Sequence, residues 1–588
     1  MSNPLISDAL IELVLHEVLD VEALFSLPAF SEHSTATLTP WLEANRRLAR
    51  DVLYPTWRPM DAEPPRFEGG RVITHVAMPA LWKRLVELGV ISATRPVEVG
   101  GQQLPLTVST LSSLYLMAGN LAATGFAGLT TGAAHLIEAF GGDAVKSMFL
   151  EKMYSGQWTG TMALTEPHAG SSLADLRSTA TPTAHGHYLL RGAKIFISGG
   201  DQSFTENIVH LVLARIDGAP AGTKGISLFA VPRLRVSPAG LVPNDVHVSG
   251  AIHKIGWRGL PSVALAFGDE HDCHGFLVGE PHQGLRCMFQ MMNEARIMVG
   301  ASAVATASAA FHESLAWATE RRQGRPLGVT DPSTPQVALI EHPDVRRMLL
   351  RQKAIVEGSL CLIGVAARYA DLSAHGADEE TRATSKLMLD LLTPMAKTFP
   401  SEKGFESTAL ALQIHGGYGY SSEYPPELWL REQKLNTIHE GTTSIQGLDL
   451  LARKMVAGGG AALMALQSEV LADVERAKSH GIDTAAVERG LERLVALTAT
   501  LGARGLEGDF EGMVGHSADY LELASTLVIG WMWLKLTLAV HGRDDDFAKG
   551  IRAAAQYWFV TELPRIDALA ALCESAERSY LDVTAAQL

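Results

Sequence analysis

The feature that most constrains this chain is a double change in the period of its apolar residues. From Thr39 to about Glu151 they recur three and four apart, in runs such as LSSLYLMAGNLAATGFAGLTTGAAHLIEAF, the spacing of helices that bury one face. Between Gly160 and about Gly284 the period drops to two, or the runs become short and wholly apolar: HYLLRGAKIFIS, NIVHLVLARI, GISLFAVP, VHVSGAIHKI and SVALAFGD, separated by Gly, Pro, Asn and Asp. After Met288 the helical period returns and persists. No helix-length pattern separates the strand segments, so a parallel βαβ sheet is not indicated and an antiparallel barrel or sandwich is expected.

The expected fold class is α+β and mostly helical. A helical extension covers 1–38, a helical domain 39–159, a middle β domain 160–284, a helical bundle 285–455 and, beyond the Gly-rich break AGGGAA, an appended helical domain 456–588. The N-terminal MSNPLISDALIELVLHEVLD carries Asp8, Glu12 and Glu17 within its apolar periodicity and reads as an amphipathic helix, not a leader. The longest apolar stretch, Leu523 to Val540, contains Lys535 and reads as a buried helix, so no integral membrane segment is expected. A net charge of −15 repels nucleic acid and anionic lipid, and an anionic ligand must therefore find a local basic pocket. Cys273, Cys287, Cys361 and Cys573 lack disulfide-framework or metal-ligand spacing, which fits a reducing, cytoplasmic compartment and no metal site.

Five segments carry side chains suited to chemistry. In LTEPHAGS, Ala169, Gly170 and Ser171 let backbone approach a ligand closely, and Thr165 can present a hydroxyl and an amide to a heterocycle edge. A tight turn between helix and strand accounts for the same residues. In KIFIS, Phe196 offers a flat face with Ser198 two residues on, which places both on one side of a strand; a core Phe is the plainer reading. ATERRQGRPLG ends a helical run with Arg321, Arg322 and Arg325, forks suited to pyrophosphate or simply to a helix C-terminus. Gly416, Gly417 and Gly419 of HGGYGY fall short of a GxGxxG pattern and equally fit a helix C-terminal turn. IHEGTTSIQGLDLLARK places a lone carboxylate, Glu440, among Ile438, Ile445 and Leu448, which are expected to enclose it and raise its pKa.

MALTEPHAGSSLADL, KIFISGG, ERRQGR and QIHGGYGY followed by IHEGTTSIQ, in that order over roughly 40–455, together resemble the acyl-CoA dehydrogenases. The resemblance implies FAD as cofactor. Leu164, Thr165, Ser171, Phe196 and Ser198 would contact the flavin, with Phe196 and Ser198 standing where relatives commonly carry Trp and Thr. Arg321 would reach the flavin diphosphate of a neighbouring subunit, which implies a homodimer, and Gln323 would also contact the cofactor. Gln413, Gly416 and Gly417 would pack on the adenosine end, and Thr442 and Ser444 would also touch the cofactor. Ser171, Asn293, Arg296 and Gly441 are implied contacts of the acyl-CoA substrate.

Glu440 is implied as the base that takes the α-proton while the flavin accepts the β-hydride, giving a trans-2-enoyl-CoA. Its own backbone N–H would help bind the thioester oxygen. His439 stands where relatives usually have Tyr. At the position where some branches place their base, this chain has Ala295, and the adjacent Glu294 is turned about 100° away on a helix. A medium- or long-chain fatty acyl-CoA is expected as substrate, with electron-transferring flavoprotein as acceptor. The alternatives are 3-methylthiopropanoyl-CoA dehydrogenase, an acyl-CoA oxidase, and a non-catalytic or DNA-binding relative of the fold. Nine Lys and Arg against fifteen Asp and Glu over 485–588 oppose the last.

Overall fold

All five apolar runs of the middle region are strands, and three further strands complete their sheet: β1 Trp158–Ala163, β2 Thr179–Pro182, β3 Tyr188–Ser198, β4 Asn207–Ile216, β5 Ile226–Pro232, β6 Val246–Ala251, β7 Ser262–Phe267 and β8 His274–Val278. The order is β6-β7-β3-β8-β5-β4-β1, and β2 pairs with both β3 and β4, which closes β3, β8, β5, β4 and β2 into a ring. The structure, a computed structural model, describes residues 3–588, with the side chains of 289–292 outside the described residues. Met1 and Ser2 of the N-terminal segment likewise lie outside them.

Most pairings are antiparallel, as the short connections require, but β1 and β2 both run parallel to β4. Parallel neighbours need a long crossover. Here the crossover from β1 to β4 is built of loop, β2 and β3, not of a helix, so the absence of a helical pattern between the runs does not exclude parallel pairing. Asn207 to Ala214 of β4 are buried without alternation, because both faces of this strand are covered. Leu190, Ile197, Val212, Phe229, Val231, Leu265 and Phe267 form the core of the ring.

Contacts divide the chain into two compact units: Met1–Leu38 with Pro105–Leu114 and Arg296–Leu588, and Thr39–Leu104 with Tyr115–Ala295. The second unit holds the sheet. It also holds most of α1, Leu106–Phe140, which breaks at Asn120 (φ −161°). The Asn120 side chain caps the helical segment beyond the break, its Oδ1 accepting from Ala123 N at 3.0 Å while its amide donates to Thr56 Oγ1 at 3.0 Å.

The first unit is helical. Its main elements are α2 Gly284–Glu320 from Arg296 onward, α3 Pro343–His375, α4 Glu379–His415, α5 Pro426–Leu435, α6 Thr443–Asp449, α7 Ala461–Ser479, α8 Ala485–Leu506 and α9 Ser517–Ala539. α3 lies along α4, and Phe311, Met348, Leu349, Val356 and Ile414 fill the space beside them. α2 comes so close to α4 at Gly300 that a Cβ there would stand 2.0 Å from the Ala396 carbonyl oxygen. The expected boundary at 455/456 falls inside this unit, since α9 packs against α3, α4 and α6. Phe510–Ala539 is long and apolar enough to cross a membrane by length and composition, yet most of it is buried inside the protein. Within it, Trp533 Nε1 donates to the Ala354 carbonyl of α3 at 3.0 Å.

Candidate active site

In the sheet-containing unit, the chain leaves β1 directly into Leu164 and Thr165, and the Thr165 carbonyl accepts a hydrogen bond from Ile195 N at 2.9 Å. That bond sets the LTEPHAG loop beside Phe196. The structure therefore brings Leu164, Thr165, Phe196 and Ser198 together, while Ser171 sits farther along the loop and is exposed. Phe196 has φ 60°, a left-handed conformation costly for a bulky residue, and the residue is 62% exposed. Its cause is a bulge: between the pairs Lys194–Leu265 and Ile197–Val263, two residues of β3, Ile195 and Phe196, stand opposite the single Ala264 of β7. An aromatic residue left open at a strained bulge, with Thr165 hydrogen-bonded through its carbonyl to the preceding Ile195 and Ser198 two residues on, offers a set that fits a flavin ring.

Beneath the loop lies a buried ion pair that the sequence reading did not assign. Lys194 Nζ donates to Glu166 Oε1 at 2.8 Å and to the Leu164 carbonyl at 3.0 Å. Glu166 also accepts from Arg177 N at 2.8 Å and from Ser178 N at 3.0 Å. Burial works against both charges, but the lysine and the donors hold the Glu166 pKa down at about 2, and burial lowers Lys194 to about 8. The visible signal was a lone charged residue starting the otherwise uncharged KIFIS segment. Asn293 is half-buried, and Glu294 pairs with His135 at 3.7 Å.

In the helical unit, Glu440 sits in the loop between α5 and α6 with φ 53°, followed by Gly441 at φ 93°. A non-glycine residue persists there only when its surroundings hold it. Gln446 Nε2 donates to the Glu440 carbonyl at 2.9 Å, and Lys397 Nζ of α4 donates to the Gly441 carbonyl at 2.8 Å. Burial raises the Glu440 pKa above the ordinary carboxylate value, against the pull of Arg296 and Lys397. The side chain is nevertheless exposed in the chain taken alone. Together these describe a recess, crowded by protein atoms and open on one side. The expected enclosure by Ile438 and Ile445 is corrected: they are 55% and 36% exposed, so the crowding comes from other parts of the fold.

Arg296, expected at the substrate, is buried and gives Nη1 to Asp449 Oδ2 of α6 at 2.9 Å. This is an internal ion pair rather than an open phosphate clamp. His439 is held neutral, burial and Lys397 lowering its pKa to about 3. Thr442 is the N-cap of α6, with its hydroxyl 3.4 Å from Ser444 Oγ, and Thr443 Oγ1 donates to Glu402. Gln413, Gly416 and Gly417 gather at the C-terminal end of α4, all exposed. Gly416 ends the helix at φ 61° and ψ −137°, a conformation open essentially to glycine alone. The Arg321 guanidinium lies over the Tyr418 ring, 5.5 Å from its centroid, and Arg321 and Gln323 are exposed. Lys397, Asp449 and Gln446 were missed by sequence reading. Lys397 alone left a trace, as the single charge in LLTPMAKTFPS.

Models of four acyl-CoA dehydrogenase regions match in order: the N-terminal domain over 39–157, the middle domain over 161–269, the C-terminal domain over 282–455, and the acetyl-CoA dehydrogenase C-terminal-like region over 466–584. The chain is 36% identical to 3-methylmercaptopropionyl-CoA dehydrogenase of Ruegeria pomeroyi over 89% of each chain. It is 31% identical to the broad-specificity linear acyl-CoA dehydrogenase FadE5 of Mycobacterium tuberculosis over 97% of each. Among solved structures, an acyl-CoA dehydrogenase from Bacillus anthracis complexed with FAD superposes with a TM-score of 0.73 at 21% identity, covering 99% of this chain and 93% of that one. Caenorhabditis elegans ACDH-11 in complex with C11-CoA superposes with a TM-score of 0.78 at 20% identity, covering 96% and 92%. The chain belongs to the acyl-CoA dehydrogenase family, whose members are FAD-dependent oxidoreductases.

Proposed function

We propose that this enzyme removes the α-proton of a medium- or long-chain fatty acyl-CoA with Glu440 and yields the trans-2-enoyl-CoA. The observation that carries the reading is the Glu440 turn: a carboxylate in a left-handed residue, pinned by Gln446 and beside Lys397, with burial raising its basicity. A base is most effective when its pKa approaches the working pH, and a recess open on one side admits a substrate while restricting water. FAD, when bound, supplies the acceptor for the β-hydride, which no side chain can provide. Leu164, Thr165, Phe196 and Ser198 would hold its ring, and Gln413, Gly416 and Gly417 its adenosine end. Thr442 and Ser444 would complete its polar contacts. Ser171, Asn293 and the Gly441 backbone would orient the coenzyme arm. Arg296, committed to Asp449, would act near the site as a buried charge.

The test is Glu440→Gln. The purified variant should stay yellow and bind acyl-CoA, while the rate of flavin bleaching falls about 10²- to 10⁴-fold, the contribution typical of a positioned base. Retention of most of the wild-type rate would overturn the assignment. A panel of acyl-CoAs reads chain length. A sulfur-containing short acyl group is the second reading, favoured by the similarity to the Ruegeria pomeroyi enzyme. Electron-transferring flavoprotein as acceptor, a cytoplasmic location and a homodimer in which exposed Arg321 and Gln323 reach a neighbour's flavin belong to the same proposal.

A further inference from the structure

Lys397 is fully buried, in a turn of α4 where Met395, Ala396, Phe399 and Ser401 are also buried. An ammonium in such a place is costly unless it has a partner and a task. Its hydrogen bond goes neither to a helix carbonyl nor to a neighbouring carboxylate, but to the carbonyl of Gly441 at 2.8 Å. That carbonyl belongs to the peptide immediately after Glu440. With Gln446 holding the Glu440 carbonyl at 2.9 Å, both carbonyls of the left-handed pair are tethered, one from α6 and one from α4.

We propose that Lys397 is a positioning residue for Glu440: it fixes the turn that presents the carboxylate and brings a positive charge to that turn. The inference rests on the reading of Glu440 as the base. The charged and titratable groups within electrostatic reach of Lys397 are Glu402 on its own helix, Glu440 in the loop before α6, Arg296 on α2 and His439 beside Glu440. Glu440 in turn feels Arg296 and Lys397. Arg296 is already engaged by Asp449 at 2.9 Å, which shares its charge. Lys397 is thus the cation whose contact runs directly to the base's own turn. Burial lowers the lysine pKa to about 8, so it remains charged at neutral pH while opposing the rise that burial imposes on Glu440.

The experiment separates proton removal from oxidation. An acyl-CoA with a quaternary β-carbon, such as 3,3-dimethylbutyryl-CoA, has α-hydrogens but no β-hydride to lose. Its α-deuterium exchange in heavy water therefore reports the base alone. The flavin-loaded wild type and the Lys397→Met, Lys397→Gln and Glu440→Gln variants are compared across pH by mass spectrometry. Loss of the cation raises the Glu440 pKa, so the acidic limb of the exchange profile moves upward by about one pH unit in both lysine variants, a roughly tenfold slower rate at any pH on that limb. Lys397→Gln, which keeps an amide donor, should recover part of the plateau rate that Lys397→Met loses. Should Lys397→Met fail to fold, Lys397→Gln carries the pH test. A lysine variant with bound flavin and the wild-type limb and plateau would overturn the proposal. Wild-type exchange in Glu440→Gln would instead remove the base assignment itself, whatever the lysine variants do.

Discussion

The buried Glu166–Lys194 pair allows a prediction whose magnitude comes from the structure. Burial works against both charges, and their mutual attraction together with the donors to Glu166 offsets that cost. The pair as a whole is therefore close to neutral for stability. Removing one partner is different. Lys194→Met strands a carboxylate with 2% of its side chain exposed, although Arg177 and Ser178 still donate to it, and should lose about 3–5 kcal/mol. Glu166→Gln leaves the ammonium with neutral acceptors, the Leu164 carbonyl and the new amide oxygen, or forces it to deprotonate, which at pH 7 costs at most about 5 kcal/mol. The double variant removes both charges and should lose only about 1–2 kcal/mol, the worth of the remaining hydrogen bonds. Equilibrium urea unfolding of all four proteins measures this cycle. If the two single losses simply add in the double variant, the account of a mutually dependent pair is wrong. Because Lys194 also tethers Leu164, the two variants that lack it, Lys194→Met and the double, should release flavin more readily than Glu166→Gln.

The same pair sets an acid response. Glu166 protonates near 4.5 when unfolded and near 2 when folded, so its contribution is complete above about 4.5 and disappears as the pH falls toward 2; acid unfolding of the double variant should lack that component. Gly447 of α6 faces the backbone of α9, where a Cβ would lie 2.5 Å from the Ser517 carbonyl oxygen. Gly447→Ala should cost about 1–3 kcal/mol by thermal melting, and because α6 comes directly after the Glu440 turn, it should slow turnover as well. All four cysteines are free and buried, and burial raises Cys361 and Cys573 to about 12. A thiol reagent at pH 8 should label none of them quickly in the native enzyme and all four after denaturation; rapid native labelling would contradict the packing around them.

Much of the architecture was legible because apolar period is a local property. NIVHLVLARI is β4 residue for residue, and HYLLRGAKIFIS differs from β3 only by its leading His187. The candidate site was legible only through the ordered motifs of the resemblance, since a lone carboxylate between a His and a Gly is by itself an ordinary surface residue. It was not legible where an interaction joins distant segments. The KIFIS alternation placed Phe196 and Ser198 on one side, but the bulge that leaves Phe196 open arises from pairing with β7, more than sixty residues later. Likewise, nothing in MNEARIMVG shows that Asp449 claims Arg296.

The sequence by itself determined the succession of helical, strand and helical segments, which depends on residues near one another along the chain, and its ordered motifs singled out the carboxylate at position 440 as the candidate base. The tertiary structure decided what surrounds that carboxylate: Lys397 from α4, Gln446 from α6 and Arg296 from α2. It also decided that β2 closes the ring through a parallel pairing and that the helices beyond 455 share a unit with the bundle. Desolvation and Coulomb fields sum over atoms brought together in space, and no local pattern encodes that sum.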